Sequence, residues 1–349
     1  MKEKMINRGI NMNKKLIVKM IFIDVILSIL SVSIYMWGFN KIYPEKMEDK
    51  TVLDKETTSD NSIQDESGFN SIGKFGVFDK EDNPLDNENT SSVQSNAKTT
   101  GLLDKKREEI ENYKSEASKI KIEKVEYGYS ATKVVYYVAD VYVKNINYLK
   151  TAFAYGSYGK NVKDDALNIA KDNSAIFAVT GDFYGNSENG VVIRNGIVYR
   201  ENNVSADIGV LYCDGTFATY SADGYNSKLV NAKKPWQAWT FGPSLLDDKG
   251  NVLTTFNSNS FINKNHPRSA FGYVNPGHYV FVVVDGRGCS GSVGVTLSQL
   301  AEIMKDEGCK KAYNFDGGRS SQMIFNGKYI NVQEGSRREI SDIVFIPKK

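Results

Sequence analysis

The residues best suited to chemistry lie in one short run, Asn314-Phe315-Asp316-Gly317-Gly318-Arg319-Ser320-Ser321. A carboxylate can act as nucleophile or base, a guanidinium can grip an anion through two parallel contacts, and hydroxyls can donate to it. Paired glycines let a ligand or a backbone amide come close, more than a plain turn asks for. Two other corners repeat the theme: Asp285-Gly286-Arg287, and Gly181-Asp182 ahead of Phe183-Tyr184-Gly185. A single Asp-Gly is an ordinary turn. Three such corners, two of them beside an arginine, hold the ingredients of a site for a polar, anionic substrate. With only His266 and His278 in the chain, a multi-histidine metal centre or a Ser-His-Asp triad has little to draw on.

Each corner closes an apolar run of strand length. "YVFVVV" (279–284) leads into Asp285, "KKAYNF" (310–315) into Asp316, and "AIFAV" (175–179) into Thr180-Gly181-Asp182. Between the first two, Thr296-x-x-Gln299 has the form of a capping box. Leu297, Leu300 and Met304 supply an apolar stripe, and Gly308 stops the helix. A strand–helix–strand unit of this kind predicts two parallel strands joined by a right-handed crossover. Both Asp-Gly corners then emerge at one sheet edge, where ligands of open α/β sheets sit.

Elsewhere the pattern is of hairpins, around Asn195-Gly196, Asp214-Gly215 and Asn326-Gly327. A further strand lies in "KVVYYVADVYVK" (133–144), and helical spacing recurs at 161–172 and 296–307. The expected fold class is α+β (mixed α/β). It comprises mixed β-sheets with several hairpins and at least one parallel strand–helix–strand unit, preceded by one transmembrane helix.

That last element follows from the N-terminus. Residues 1–15 form a basic tail, and residues 16–39 are mostly apolar and about long enough to cross a bilayer. No Ala-x-Ala-like cleavage site follows them, so they read as an uncleaved signal-anchor with the lipid bilayer as partner and the tail in the cytoplasm. Residues 40–101 read as a disordered acidic linker, residues 102–120 (LLDKKREEIENYKSEASKI within them) as a helical stalk, and residues 121–349 as the folded domain. The net charge of +2 gives no reason to expect a nucleic-acid partner. Cys213, Cys289 and Cys309 have no CxxC spacing, so they form neither a zinc site nor a disulfide framework, and buried thiols fit best.

The segment from about Tyr137 to Ile346 resembles the phosphodiester glycosidase domain family. The resemblance rests on "GDFYG" (181–185), "AWTFGPSLLDDKG" (238–250), "HPRSAFG" (266–272), "VVVDGRGCSGSVGVTLSQLAEIM" (282–304), "AYNFDGGRSSQMIFNGKYIN" (312–331) and "RREISDIVFI" (337–346). One departure stands out: Arg319 occupies a position where the family usually has a small residue. The resemblance implies hydrolysis of a sugar-1-phosphodiester at its glycosidic bond, with a carbohydrate phosphodiester as substrate. The candidate catalytic carboxylates are then Asp316, Asp285 and Asp182. Arg268, Arg287, Gly317, Gly318, Arg319, Ser320, Ser321, His266 and Asn314 are candidates for holding sugar or phosphate. No metal ligand set is assigned and no cofactor is expected, although clustered aspartates leave a divalent cation open.

The orientation of the basic tail and apolar span has a direct check. Protease added to intact cells is expected to remove the domain; full protection would reverse the assigned topology.

Overall fold

The computed structural model describes residues 105–333 and 335–349. The basic tail, the apolar span and the acidic linker lie outside these residues. The described residues form sixteen strands in three antiparallel sheets, together with three short α-helices.

The first sheet contains β1 (Lys106–Lys114), β2 (Ser118–Tyr127), β3 (Val134–Val143), β11 (Arg268–Asn275), β12 (His278–Val284) and β13 (Lys311–Phe315), in the order β1-β2-β3-β12-β11-β13. The second runs β15-β14-β5-β16-β4, from β4 (Lys150–Phe153), β5 (Ala175–Thr180), β14 (Met323–Phe325), β15 (Lys328–Tyr329) and β16 (Asp342–Pro347). The third runs β7-β6-β10-β8-β9, from β6 (Gly190–Arg194), β7 (Ile197–Asn202), β8 (Ile208–Tyr212), β9 (Phe217–Tyr220) and β10 (Pro235–Trp239).

The inner faces of all three sheets meet in one core. Phe281 and Phe315 come from the first sheet, Phe177 and Val344 from the second, and Leu211 and Trp239 from the third. The outer face of the first sheet is covered by α3 (Leu297–Asp306), that of the second by α1 (Ala166–Asp172). This double burial explains why the strands read as unbroken apolar runs. In β12, Tyr279, Phe281 and Val283 face the central core while Val280, Val282 and Val284 face α3. The capping box forms as the sequence predicts, with Gln299 N donating to Thr296 Oγ1 at 3.2 Å and Thr296 N to Gln299 Oε1 at 2.9 Å. The third helix, α2 (Ser227–Ala232), sits between β9 and β10.

The Asn-Gly hairpins are present: Asn195 and Gly196 have φ of +52° and +82°, Asn326 and Gly327 +46° and +76°. Both residues of each pair are left-handed, as a type I′ turn requires. The strand–helix–strand unit needs a correction. β12 and β13 do run in the same direction, but β11 lies between them and pairs antiparallel with both. The reason is local: β11 and β12 are joined through Pro276-Gly277, with Gly277 at φ +85°, and this short hairpin claims the edge before the distant β13 can.

The helical stalk is also overturned. Residues within 102–120 form β1 and the start of β2, and the fold begins at that hairpin rather than at residue 121. Helix-forming Glu and Lys are outweighed by pairing across the strands. Glu108 stands opposite Lys124 and Lys106 opposite Glu126, Arg107 reaches Glu123 at 3.1 Å, and Ile110 and Tyr113 pack against the core. Arg107 also pairs with Glu307 at the end of α3, tying the edge strand to the helix. No disulfide joins the three cysteines.

Removing residues 105–116 would uncover buried Ile120 and Ile122 on β2. A fall in melting temperature of roughly 5–10 °C is expected, read by calorimetry. An unchanged melting temperature would return β1 to the status of a stalk.

Candidate active site

Two strand ends flank the start of a third. Arg268 pairs with Val284 and Ser269 with Phe315, so β12 delivers Asp285 on one side of β11 and β13 delivers Asp316 on the other. The backbone of Pro267 is wedged between the two corners. Gly318 N donates to Pro267 O at 2.9 Å. A Cβ on Gly286 would lie 2.9 Å from Pro267 N, and one on Gly317 3.0 Å from Pro267 O. Gly286 and Gly317 are therefore glycine because the main chain of the middle strand passes against them. Gly318 has a different reason: its φ is +64°, and the Arg287 guanidinium lies 3.2 Å from where its Cβ would be. Arg287 is itself left-handed, at φ +59°, an unusual backbone for a side chain of this size.

Asp285 is 1% exposed. Ser290 Oγ donates to its Oδ2 at 2.7 Å, while Oδ1 is buried with no partner. Burial pushes its pKa up to about 6, against the pull of Ser290, Asn331 and the Val332 amide. Asp316 is 7% exposed and burial likewise pushes it up to about 6. Ser320 beside it, the Arg338 charge and the Gly317 amide pull it back, and the Asp182 charge adds to the rise. Near the Asp316 corner the Ser321 hydroxyl and the Gln333 carbonyl are buried without a protein partner, as is the Ser269 hydroxyl at the start of β11. Buried polar atoms are almost always satisfied, so this concentration of open donors and acceptors marks a place prepared for something else. Beside the two corners opens a cleft of about 230 Å³, lined by Gly286, Arg287, Gly318, Arg319, Asn331 and Gln333 among others; the two buried carboxyls themselves are not part of its lining. Arg287 and Arg319 are exposed at it.

The third corner belongs to the second sheet yet joins the same place. Asp316 N donates to Gly181 O at 3.2 Å, and the Thr180 hydroxyl donates to Ser320 O. Asp182, however, is fully committed. Its Oδ1 accepts from Tyr184 N at 3.0 Å and pairs with Arg194 Nη2 at 3.0 Å, and its Oδ2 accepts from Thr240 N at 3.1 Å. Arg194 also holds Asp342 at 2.7 Å, and a Cβ on Gly181 would strike Asp342 Oδ1. This buried triad welds the second sheet to the third, and it makes Asp182 a holding residue in place of a catalytic one.

Three other expected site residues prove to be scaffolding. Arg268, 3% exposed, spends its guanidinium on the carbonyls of Val295 at 3.1 Å, Lys264 at 2.7 Å and Ile262. With no carboxylate to support it, burial lowers its pKa to about 10. His266 bridges Val295 through its backbone, and its ring nitrogen Nε2 lies 2.9 Å from Phe261 O; burial lowers its pKa. Asn314 donates to Gly242 O at 2.7 Å and fixes the turn beside Pro243. The structure brings together Asp285, Asp316, Arg287, Gly317, Gly318, Arg319, Ser320 and Ser321. Sequence reading missed Ser269, Asn331 and Gln333; the exposed Arg338 also acts on Asp316 through its charge. Asn331 secures the loop by donating to Ser321 O at 2.9 Å and accepting from Met323 N at 2.9 Å. In sequence it is one more polar residue after a hairpin.

A phosphodiester glycosidase family model matches residues 173–346, which span the three corners. The chain belongs to the phosphodiester glycosidase family. A zebrafish catalytic domain, N-acetylglucosamine-1-phosphodiester alpha-N-acetylglucosaminidase auto-inhibited by its pro-peptide, has the same fold. That match has a TM-score of 0.55 at 20% identity and covers 70% of this chain and 88% of that one. A hypothetical protein from Synechocystis aligns with a TM-score of 0.52 at 14% identity, over 65% of this chain and 62% of its own. In sequence, the SPbeta prophage-derived uncharacterized protein YomE of Bacillus subtilis is 28% identical over 196 residues, 54% of this chain. The chain spans only 30% of that protein's length.

The two kinds of aspartate should separate experimentally. Raising a carboxyl from 3.8 to about 6 costs the folded state up to about 3 kcal/mol once the group is ionised. Because each folded pKa lies above the unfolded one, the contribution of each of these two carboxyls to stability falls as pH rises from about 4 to 6 and is level above that. Asp285→Asn and Asp316→Asn are each expected to remove that residue's share of the fall and to raise the melting temperature at pH 7.5 by roughly 3–8 °C. Asp182→Ala should instead lose about 2–4 kcal/mol, since two backbone amides are orphaned. Calorimetry across pH reads both, and destabilisation by all three variants would contradict the assignment.

Proposed function

We propose that this protein is a hydrolase of sugar-1-phosphodiesters that cleaves the bond between the anomeric carbon and the phosphate oxygen. Its substrate would be a cell-wall, teichoic-acid-like or exopolysaccharide polymer. The observation that carries the reading is the pair of buried carboxyls, both raised to about 6, whose chain neighbours Gly286, Arg287, Gly318 and Arg319 line a cleft. The basic tail and apolar span of the sequence support a membrane-anchored protein with this domain outside the cell.

The chemistry follows from the leaving group. A phosphate monoester has a second pKa near 6 and departs without a strong general acid. The need is for cations that hold the departing anion, and Arg287, fixed over Gly318, and the exposed Arg319 meet it. One ionised carboxylate then takes a proton from water as the water attacks the anomeric carbon. The C–O bond breaks, the electron pair stays on the phosphate oxygen, and the proton finally rests on the phosphate monoester. Asp316 suits the base role, because its ionised form has Arg338, Ser320 and the Gly317 amide to stabilise it. Asp285, with Oδ1 unpaired and one strand away across β11, is the second carboxyl that would hold a sugar hydroxyl.

Incubation of the full-length protein with UDP-N-acetylglucosamine and other sugar-1-phosphodiesters in ¹⁸O-water tests this. Label is expected in the free sugar and absent from the phosphate; label in the phosphate would mean a phosphodiesterase, and no release from any substrate a binding protein. Since only the base must be ionised, kcat/KM should rise with pH through about 6 and stay level above. A bell-shaped profile would make one carboxyl a proton donor. Asp316→Asn should lower kcat by at least about a hundredfold.

A further inference from the structure

A second cavity of about 230 Å³ lies apart from the cleft, between Tyr158, Lys160, Tyr184, Glu188 and Arg200, and shares no lining residue with it. We propose that it is a subsite for the neighbouring sugar-phosphate unit of an anionic polysaccharide, a proposal that rests on the reading of the Asp316 centre as acting on sugar phosphodiesters.

Its wall is aromatic. Tyr158 and Tyr184 stack at 5.2 Å with 16° between their planes, Tyr199 meets Tyr158 at 5.1 Å, and Phe153 lies beneath both Tyr184 and Tyr199 at 5.4 and 4.9 Å. Tyr199 is 37% exposed and Tyr158 half-buried, so the cluster leaves aromatic surface open to solvent. The rim is polar: Lys160 pairs with Glu188 at 2.6 Å, and Arg200 borders the cavity. An aromatic face with a polar rim suits a sugar ring, whose C–H face packs on the tyrosine while its hydroxyls reach the edge.

The open hydrogen-bond donors narrow the ligand further. Arg200 Nη1 holds the carbonyls of Tyr184 (3.2 Å) and Ser187, which secures the loop, but its buried Nε has no partner. Asn186 Nδ2 is also buried and unpartnered, while its Oδ1 accepts from Lys163 at 2.6 Å. Among the lining residues the two cations, Lys160 and Arg200, the latter with its Nε unspent, stand against the single acid Glu188, which favours an acceptor-rich anion such as a phosphodiester link.

Position connects the cavity to the chemistry. Tyr184 is two residues beyond Asp182, and Gly181 O receives the amide of Asp316 at 3.2 Å, so the loop that lines the cavity leaves β5 at the Asp316 corner. A cleft of about 230 Å³ holds about one sugar phosphate, and the next unit of a polymer would leave it on this side.

The test uses the full-length protein carrying Asp316→Asn, so that nothing is consumed. Calorimetric titration compares a poly(N-acetylglucosamine-1-phosphate) polymer, whose units are joined by sugar-1-phosphodiester links, a bare poly(glycerol phosphate), and UDP-N-acetylglucosamine. Tyr158→Leu keeps the apolar contact with Tyr184 but removes the ring face. It is expected to weaken the sugar-phosphate polymer by roughly tenfold and leave UDP-N-acetylglucosamine unchanged. Arg200→Gln should act in the same direction. Equal affinity for the polymer with and without Tyr158→Leu, equal weakening of both sugar-bearing probes, or equal binding of the bare polymer would each overturn the proposal. With Asp316 restored, Tyr158→Leu should raise KM for the polymer alone. If the parent cleaves neither substrate, the catalytic reading falls while the titrations still decide the subsite.

Discussion

The site depends on one steric constraint: the Pro267 backbone occupies the gap between two strand ends. Carboxylates are seldom buried at two neighbouring strand ends, because each loses solvation. Here β11 fixes the ends of β12 and β13 one strand apart, and Gly286 and Gly317 let that strand come close enough for Asp285 and Asp316 to be carried inward on either side. The desolvation is imposed by backbone geometry that the large mixed core holds rigid. Both pKa values follow from it, and so does the instability stored at the site.

Around that constraint the molecule divides its charges by task. Arg194 and Arg268 are buried and support architecture, one through carboxylates and one through carbonyls. Arg287 and Arg319 are exposed and remain available to an anion. The aspartates divide similarly: Asp182 has every oxygen engaged, whereas Asp285 keeps one open. Burial alone does not distinguish chemistry from scaffolding here; between these two aspartates the difference is the open oxygen.

What could be read in the sequence was local. Asn-Gly set two hairpins, Thr296 and Gln299 began α3, and the ends of three apolar runs located the corners. What could not be read depended on partners far along the chain. Asp182 looks catalytic until Arg194 and Asp342 close on it. Arg268 looks like a phosphate ligand until the 262–264 carbonyls surround it. β11 slipped between two strands expected to touch, and β1 traded helical composition for charge pairing with β2. Asn331 and Gln333 were hidden for the opposite reason: amides at a hairpin's end are common, and only the fold shows what they face.

The edge hairpin has a practical bearing on orientation. Lys106 stands opposite Glu126 at the end of the first sheet where Asp285 N meets Val135 O, whereas Lys349 packs on Tyr113 at the far end of β1. A strand of nine residues separates those ends by about 30 Å. A support coupled through Lys349 would therefore leave the Asp285 end of the sheet facing the bulk solution. Attachment ahead of Lys105 would turn the same end toward the surface that holds it.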